Sequence, residues 1–343
     1  LTAADQGSWQ STREQASREL TRSDTDPKKL FALNYALLQT YRGTVDNDAV
    51  RHALQLISLA DALNDNELRS VAHSEIGELY RSMGMFDRAV RHLRESLRHA
   101  SSTDSRQLAL PFLRLGLAYH ATGESAEGLL RLERARNLFL AHNHPGLAAQ
   151  ALLGEARALI GLSRAQEALQ RLESAENLIL KTEDRQQLTA VHRAMAAAYA
   201  ALGEEEQVAE SLSLAAALHD QGIDSQSEGQ TNLDLATFNF EQGRNEAALA
   251  RLRTALHRFR ESDDLNGMAR VLRLMAAVHE AMDDTTAALG ALKEHLQLRQ
   301  KLEAREGDRR SAVRIMQLEQ SLAHEHSFAR RTHQALLEAN RRL

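Results

Sequence analysis

A small residue recurs along this chain at intervals of 39 or 40 residues, and a leucine or alanine follows it four residues later in every copy. This spacing places the two residues about one turn apart on the same face of a helix. Seven copies in nearly constant register are typical of a repeat protein, in which each unit buries its apolar face against its neighbours. The seven pairs are Ala49 and Ala53, Ala89 and Leu93, Gly128 and Leu132, Ala168 and Leu172, Val208 and Leu212, Ala248 and Leu252, and Ala288 and Leu292.

The clearest copy spans residues 70–100 and predicts a helix, a tight turn and a second antiparallel helix. Because Gly77 and Ala89 are small, the two helices can approach each other closely. Tyr80 is expected to fill the space between them. The stretch resembles a tetratricopeptide repeat (TPR), and the positions that carry the resemblance are Gly77, Tyr80, Gly84, Ala89, Leu93 and Ser96. The resemblance implies an all-α fold, an α-solenoid of about seven TPR helix hairpins of 40 residues each. It implies little about function, because such repeats serve many kinds of partner.

The turn inside each hairpin is predicted at one equivalent position per repeat, which must adopt a positive φ after the first helix. The residues at this position are Thr44, Gly84, Gly123, Ser163, Gly203, Gly243 and Asp283.

Three segments are expected. Residues 1–26 form an amino-terminal capping segment, residues 27–298 form the solenoid of seven repeats, and residues 299–343 form a long carboxy-terminal helix. The solenoid begins at a strong helix start, since Asp26 can accept hydrogen bonds from the first turn and Pro27 suits the first helical position.

Composition limits the classes of partner. The net charge of −5 over 343 residues provides little attraction to nucleic acid or to a membrane surface, and neither is expected as a partner. The absence of cysteine fits a reducing compartment, and we expect a cytoplasmic location. The longest apolar run, Ala194–Leu202, is shorter than the roughly 20 residues of a membrane span. Because the chain begins at Leu1 and not at Met, we expect it to be part of a longer protein.

The first helices of a TPR solenoid are expected to line its concave side. Placing the repeats in register predicts a partially apolar groove with arginines spaced along it, suited to a peptide with apolar anchors and acidic groups. In the alternative, the leucines are buried between repeats and the arginines pair with neighbouring acids. The predicted partner-binding residues are Asn34, Arg81, Leu113, Leu117, His120, Leu153, Arg157, Ile160, Arg193, Leu233, Phe240 and Arg273.

No motif for catalysis or metal binding is found. The histidine pairs His142–His144 and His324–His326 lack the spacing of four residues that places two imidazoles on one helix face. Phosphate-binding glycine loops, a nucleophile elbow and cysteine nucleophiles are also absent from the sequence. We therefore expect no catalytic activity in this segment, no cofactor and no metal ion, while a longer parent protein could carry a nucleotide cyclase domain.

The carboxy-terminal segment permits a heptad pattern from residue 315 onward. Four heptads of mixed quality predict a weak parallel coiled coil that forms a homodimer. In the alternative, this helix folds back and caps the seventh repeat. The apolar positions of the proposed dimer helix are Ile315, Leu318, Leu322, Leu336 and Leu343.

The last residues resemble the helical linker that precedes the catalytic domain of GGDEF-type diguanylate cyclases. The resemblance rests on Leu336, Leu337, Glu338, Ala339, Asn340 and Leu343. It implies a sensor module that binds a protein or peptide, dimerises, and passes the signal to an output domain, with a diguanylate cyclase as the leading candidate. The alternatives are a free-standing peptide receptor similar to quorum-sensing repeat proteins, and a passive assembly scaffold.

Overall fold

The computed structural model describes residues 14, 16, 18–19, 26–41, 47–100, 105–182, 184–218, 224–307 and 314. These residues are helical apart from short turns, and none of them lies in a β-strand. The predicted α-solenoid of seven helix pairs is confirmed.

The helices follow one another in seven pairs, each with a first and a second helix. Their bounds are α1 Pro27–Thr40, α2 Asn47–Leu63, α3 Asn66–Ser82, α4 Phe86–His99, α5 Ser105–Thr122, α6 Ser125–Ala141, α7 Pro145–Gly161, α8 Ala165–Ile179, α9 Arg185–Leu202, α10 Glu205–Ala217, α11 Ser225–Glu241, α12 Asn245–Glu261, α13 Leu265–Ala281, and α14 over residues 285–307.

Within the described part of the chain, aspartate side chains begin five of the first helices. Each accepts a hydrogen bond from the backbone N–H of a residue two or three positions further on, and so satisfies a donor that has no partner within the helix. These caps are Asp26, Asp65, Asp184, Asp224 and Asp264, before α1, α3, α9, α11 and α13. Pro27 is the first residue of α1, as predicted.

The predicted turn residues are confirmed in repeats two to seven. Gly84, Gly123, Ser163, Gly203, Gly243 and Asp283 all have a positive φ, between 59° and 90°. Glycine reaches this conformation without strain, and asparagine and aspartate reach it more readily than most other residues.

Small residues bring the two helices of a pair into contact. A Cβ atom added to Gly128 of α6 would lie 2.8 Å from the carbonyl oxygen of Gly116 in α5. The recurring small and leucine positions are correspondingly buried, and Ala89, Leu93 and Leu132 are each 0% exposed. The pair in α14 is the exception, since Ala288 is half-buried and Leu292 is 42% exposed. No further repeat packs on that face among the described residues.

First helices of neighbouring repeats contact one another from α3 to α13, whereas neighbouring second helices make no comparable contact in the described ranges. The stack therefore curves with its first helices on the inner side. No helix within these ranges combines the length and the apolar character needed to cross a membrane.

Several predictions fall on residues that the structure does not describe. Most of the capping segment over residues 1–26 belongs to this group, as do the turn residue Thr44 and the histidine pair His324–His326. The same holds for the dimer positions Ile315, Leu318, Leu322, Leu336 and Leu343. Helix α14 continues without a break across residue 299, where the sequence predicts the start of the carboxy-terminal segment.

Replacing Gly128 with alanine should destabilise the chain by about 1–3 kcal/mol, because the new methyl group must push α5 away from α6. Gly290→Ala is the matched control, since it also lies within a helix but has no atom within 4 Å of an added Cβ. That control should be neutral or stabilising by up to about 1 kcal/mol. Urea unfolding followed by circular dichroism measures both, and equal midpoints would contradict the close approach.

Candidate functional site in the concave groove

The inner side of the solenoid contains two pockets, both lined chiefly by first helices. The amino-terminal pocket has a volume of about 460 Å³ and lies among α1, α3, α5 and α7. The carboxy-terminal pocket has a volume of about 500 Å³ and lies among α7, α9, α10, α11 and α13. Helix α7 contributes to both, so the two pockets follow one another along a single groove.

The charges of the amino-terminal pocket are paired. Arg114 on α5 donates to Glu75 on α3 at 2.9 Å and to the Ser74 hydroxyl at 2.7 Å, and both ionic side chains are buried. On the same helix as Glu75, Arg81 binds both carboxylate oxygens of Glu78, at 2.8 and 2.6 Å. This hydrogen bonding raises the pKa of Arg81. Each arginine in this pocket therefore has its own glutamate.

The carboxy-terminal pocket has a different balance of charge. Asp234 on α11 accepts from Arg193 on α9 at 2.6 Å and from Gln230 at 2.9 Å. Arg270 on α13 donates to the neutral amide oxygen of Gln230 at 2.8 Å. Arg157 on α7 makes no hydrogen bond or ion pair with any residue that the structure describes. Burial in the groove, followed by the positive charge of Arg193, lowers the pKa of Arg157, and Asp234 offsets this in part.

Six of the twelve predicted partner-binding residues line these pockets. Arg81, Leu113 and Leu117 border the amino-terminal pocket, and Arg157, Ile160 and Arg193 border the carboxy-terminal pocket. The residues outside both pockets are Asn34, His120, Leu153, Leu233, Phe240 and Arg273.

The expectation of an open lining needs correction at four positions. The exposed fractions are only 2% at Asn34, 2% at Leu113, 8% at Leu153 and 4% at Leu233, so these side chains belong to the core beneath the groove. Asn34 lies against the second helix of its own repeat, where its side-chain oxygen is 2.8 Å from Nδ1 of His52 on α2. The remaining groove residues stay a prediction as partner contacts.

Sequence reasoning missed the polar residues that lie one position further along the first helices. Arg114 and Asp234 follow directly after Leu113 and Leu233, which were expected to face inward, and Glu75 is the equivalent residue of the second repeat. A signal was present, because Glu75 and Arg114 occupy equivalent places in adjacent repeats with opposite charges. Comparing charges between neighbouring repeats in register would have identified this ion pair.

A cluster of histidines between α3 and α4 was also missed. The Nδ1 atoms of His73 and His92 lie 3.1 Å apart, and the ring of His99 stacks on His73. Burial is the main cause that lowers the pKa of His92 to about 4, so this ring is neutral at neutral pH. Among the described residues, no group of His, Asp and Glu has an arrangement that could hold a metal ion.

Removing the guanidinium of Arg114 should destabilise the chain by about 3–5 kcal/mol, because Glu75 would remain buried without its partner. The double change Glu75→Met and Arg114→Met should cost less than Arg114→Met alone, since no charge is then left in the core. Arg51→Met serves as a control, because its ion pair with Asp48 is exposed, and it should cost less than about 1 kcal/mol. Urea unfolding compares the four proteins. If Arg114→Met alone is as stable as the double variant, or more stable, the buried ion pair between Glu75 and Arg114 is contradicted.

Several solved structures have a fold similar to that of this chain. A Rap protein complexed with competence and sporulation factor is 13% identical, with a TM-score of 0.54, covering 89% of this chain and 99% of that chain. Aspartyl phosphate phosphatase F from Bacillus subtilis is 12% identical, with a TM-score of 0.61 and coverage of 80% and 71%. The Cut9–Hcn1 hetero-tetramer of APC/C is 14% identical, with a TM-score of 0.59 and coverage of 82% and 48%. At these identities the likeness concerns the fold.

No curated protein matches the chain. The family model for the tetratricopeptide repeat matches residues 227–301. The model for the SusR N-terminal TPR domain matches residues 10–258, which is well over half of the chain. The chain therefore belongs to the family of SusR N-terminal TPR domains.

Proposed function

We propose that this chain is a regulatory module whose concave groove binds a peptide or an extended protein segment. The observation that carries this proposal is the pair of pockets along the inner side, each combining apolar walls with arginine and carboxylate groups. Pockets of this kind suit a ligand that presents side chains at intervals, as an extended peptide does. The Rap protein complexed with competence and sporulation factor lends support through its similar fold.

Contacts of α13 link the carboxy-terminal pocket to α14, the last helix that the structure describes. Arg270 borders the carboxy-terminal pocket and lies next to Ala269 on α13. The carbonyl oxygen of Ala269 lies 2.8 Å from Nδ1 of His295 on α14, and Leu298 packs against the core of the last repeats. A ligand that shifts α13 would therefore shift α14 with it.

The proposed signal leaves the module through the carboxy-terminal helix. The carboxy-terminal helix pairs two copies of the chain in the cytoplasm and passes the movement of α14 to an output domain, for which a diguanylate cyclase is the leading candidate. A second candidate, a free-standing peptide receptor of the quorum-sensing type, is favoured by the similarity in fold to the Rap protein. A scaffold without switching would bind its partner and leave the pairing of the helices unchanged.

Peptide binding can be tested by selecting from a random heptapeptide library displayed on phage against the full chain. Enriched peptides should bind at least about tenfold more weakly when a tryptophan fills a pocket, because the indole occupies the space that a peptide side chain would enter. The filling variants are Ser82→Trp and Ala197→Trp, at exposed positions that border the amino-terminal and carboxy-terminal pockets. Ala250→Trp, at an exposed position on the second helix α12, is the control.

Isothermal titration calorimetry with the enriched peptides gives the affinities. Binding that survives both filling variants, or a selection that enriches no peptide, would argue against the groove as a peptide site.

Dimerisation can be tested by light scattering over a concentration series of the full chain. The wild type should have the mass of a dimer, and Ile315→Lys with Leu322→Lys should have the mass of a monomer, because two charges enter the apolar seam. Gln317→Lys with Gln320→Lys adds the same charge outside the seam and should remain dimeric. A wild-type chain that is monomeric at all concentrations would overturn the pairing of the helices.

A further inference from the structure

Three arginines and two acids, Asp234 and Glu241, line the carboxy-terminal pocket, and among the described residues only Asp234 has an ion pair there. Arg193 has an ion pair with Asp234, Arg270 meets only a neutral amide, and Arg157 has no hydrogen-bonding partner in the described part of the chain. Both oxygens of Asp234 are already occupied, by Arg193 and by Gln230. The other pocket shows no such excess, because its two arginines each bind a glutamate.

Arg157 is an exposed residue, so a ligand in the groove can reach its guanidinium. The neighbouring walls of the groove partly desolvate this group. The positive charge of Arg193 repels it further, and these two effects lower its pKa. A guanidinium carries five N–H donors, so a carboxylate that enters the pocket would find donors already directed at it.

Apolar surface adjoins these charged groups. The alanines of α9, with Ile160 of α7 and Phe238 of α11, line the same pocket and leave space beside the guanidinium of Arg157. A ligand for this pocket must therefore carry a carboxylate close to a small apolar group. Because α7 borders both pockets, a peptide that follows the groove passes this point with its side chains and need not end there.

From these contacts we infer that the carboxy-terminal pocket recognises an aspartate or glutamate side chain of a bound peptide, through a bidentate contact with Arg157 that Arg270 supports. Arg193 is a positioning residue, since Asp234 already holds its guanidinium. The inference rests on the proposed peptide-binding function and adds the acidic class of the ligand.

The test uses a mixture of random hexapeptides that are acetylated and carboxy-amidated, so that side chains supply the only carboxylates. The full chain should retain a pool enriched in Asp and Glu over Asn and Gln. Arg157→Gln should abolish that enrichment. Arg164→Gln, which removes an exposed arginine paired with Glu167, should leave it intact.

Individual peptides from the pool give the size of the acidic residue's contribution to affinity. Changing the acidic residue of a peptide to its amide should weaken binding to the wild type at least about tenfold, in line with a charged hydrogen bond. The same change should have less than about a twofold effect on Arg157→Gln. The melting temperature of Arg157→Gln should not fall, because that side chain makes no ion pair that stabilises the fold.

Each other result overturns the inference. If amidated peptides bind and Ala197→Trp blocks them, but Arg157→Gln leaves the acidic preference unchanged, peptide binding stands and the assignment to Arg157 fails. If an acidic preference appears only when the peptides carry a free carboxy terminus, the side-chain assignment fails. If no peptide is retained by the wild type, the proposed function fails together with the inference.

Discussion

Close approach of helices at small residues is the constraint on which the rest of the structure depends. The side chain of Phe259 on α12 fits between two glycines, and a Cβ added to Gly267 or Gly229 would lie 2.5 or 3.0 Å from its ring. Within the second repeat, a Cβ added to Gly77 of α3 would lie 2.5 Å from the side chain of Leu93 on α4. Because each contact leaves no free space, the helices can stack in only one register, and neighbouring repeats inherit the same geometry.

This stacking determines which residues meet across repeats. First helices lie beside first helices on the inner side, so polar side chains about 40 residues apart in sequence come into hydrogen-bonding contact. Arg114 reaches Glu75, Arg193 reaches Asp234, and Gln186 reaches the cap residue Asp224 at 3.0 Å. Such contacts tie α1 to α3, α3 to α5, α9 to α11 and α11 to α13.

The two pockets of the groove differ in what they offer a ligand. In the amino-terminal pocket the arginines are satisfied internally, which suits apolar contacts and leaves little demand for an external anion. In the carboxy-terminal pocket three arginines exceed the two acids, Asp234 and Glu241, by one charge, and Arg157 has no ion pair with any described residue. The pocket with this excess borders α13, so the charge that a ligand would neutralise lies beside the helix that carries α14.

The repeat spacing alone determined the number of helix pairs, the turn residues of repeats two to seven and the buried small positions of repeats one to six. These features follow from local geometry, because helix periodicity and positive φ depend on residues close together in the chain. The choice of groove residues was only partly determined, because an offset of one position along a helix rotates a side chain by about 100°. That rotation separates the buried Leu233 from Asp234 in the pocket. Which arginine has a carboxylate partner was decided by the tertiary structure, because it depends on how far each repeat turns relative to the next.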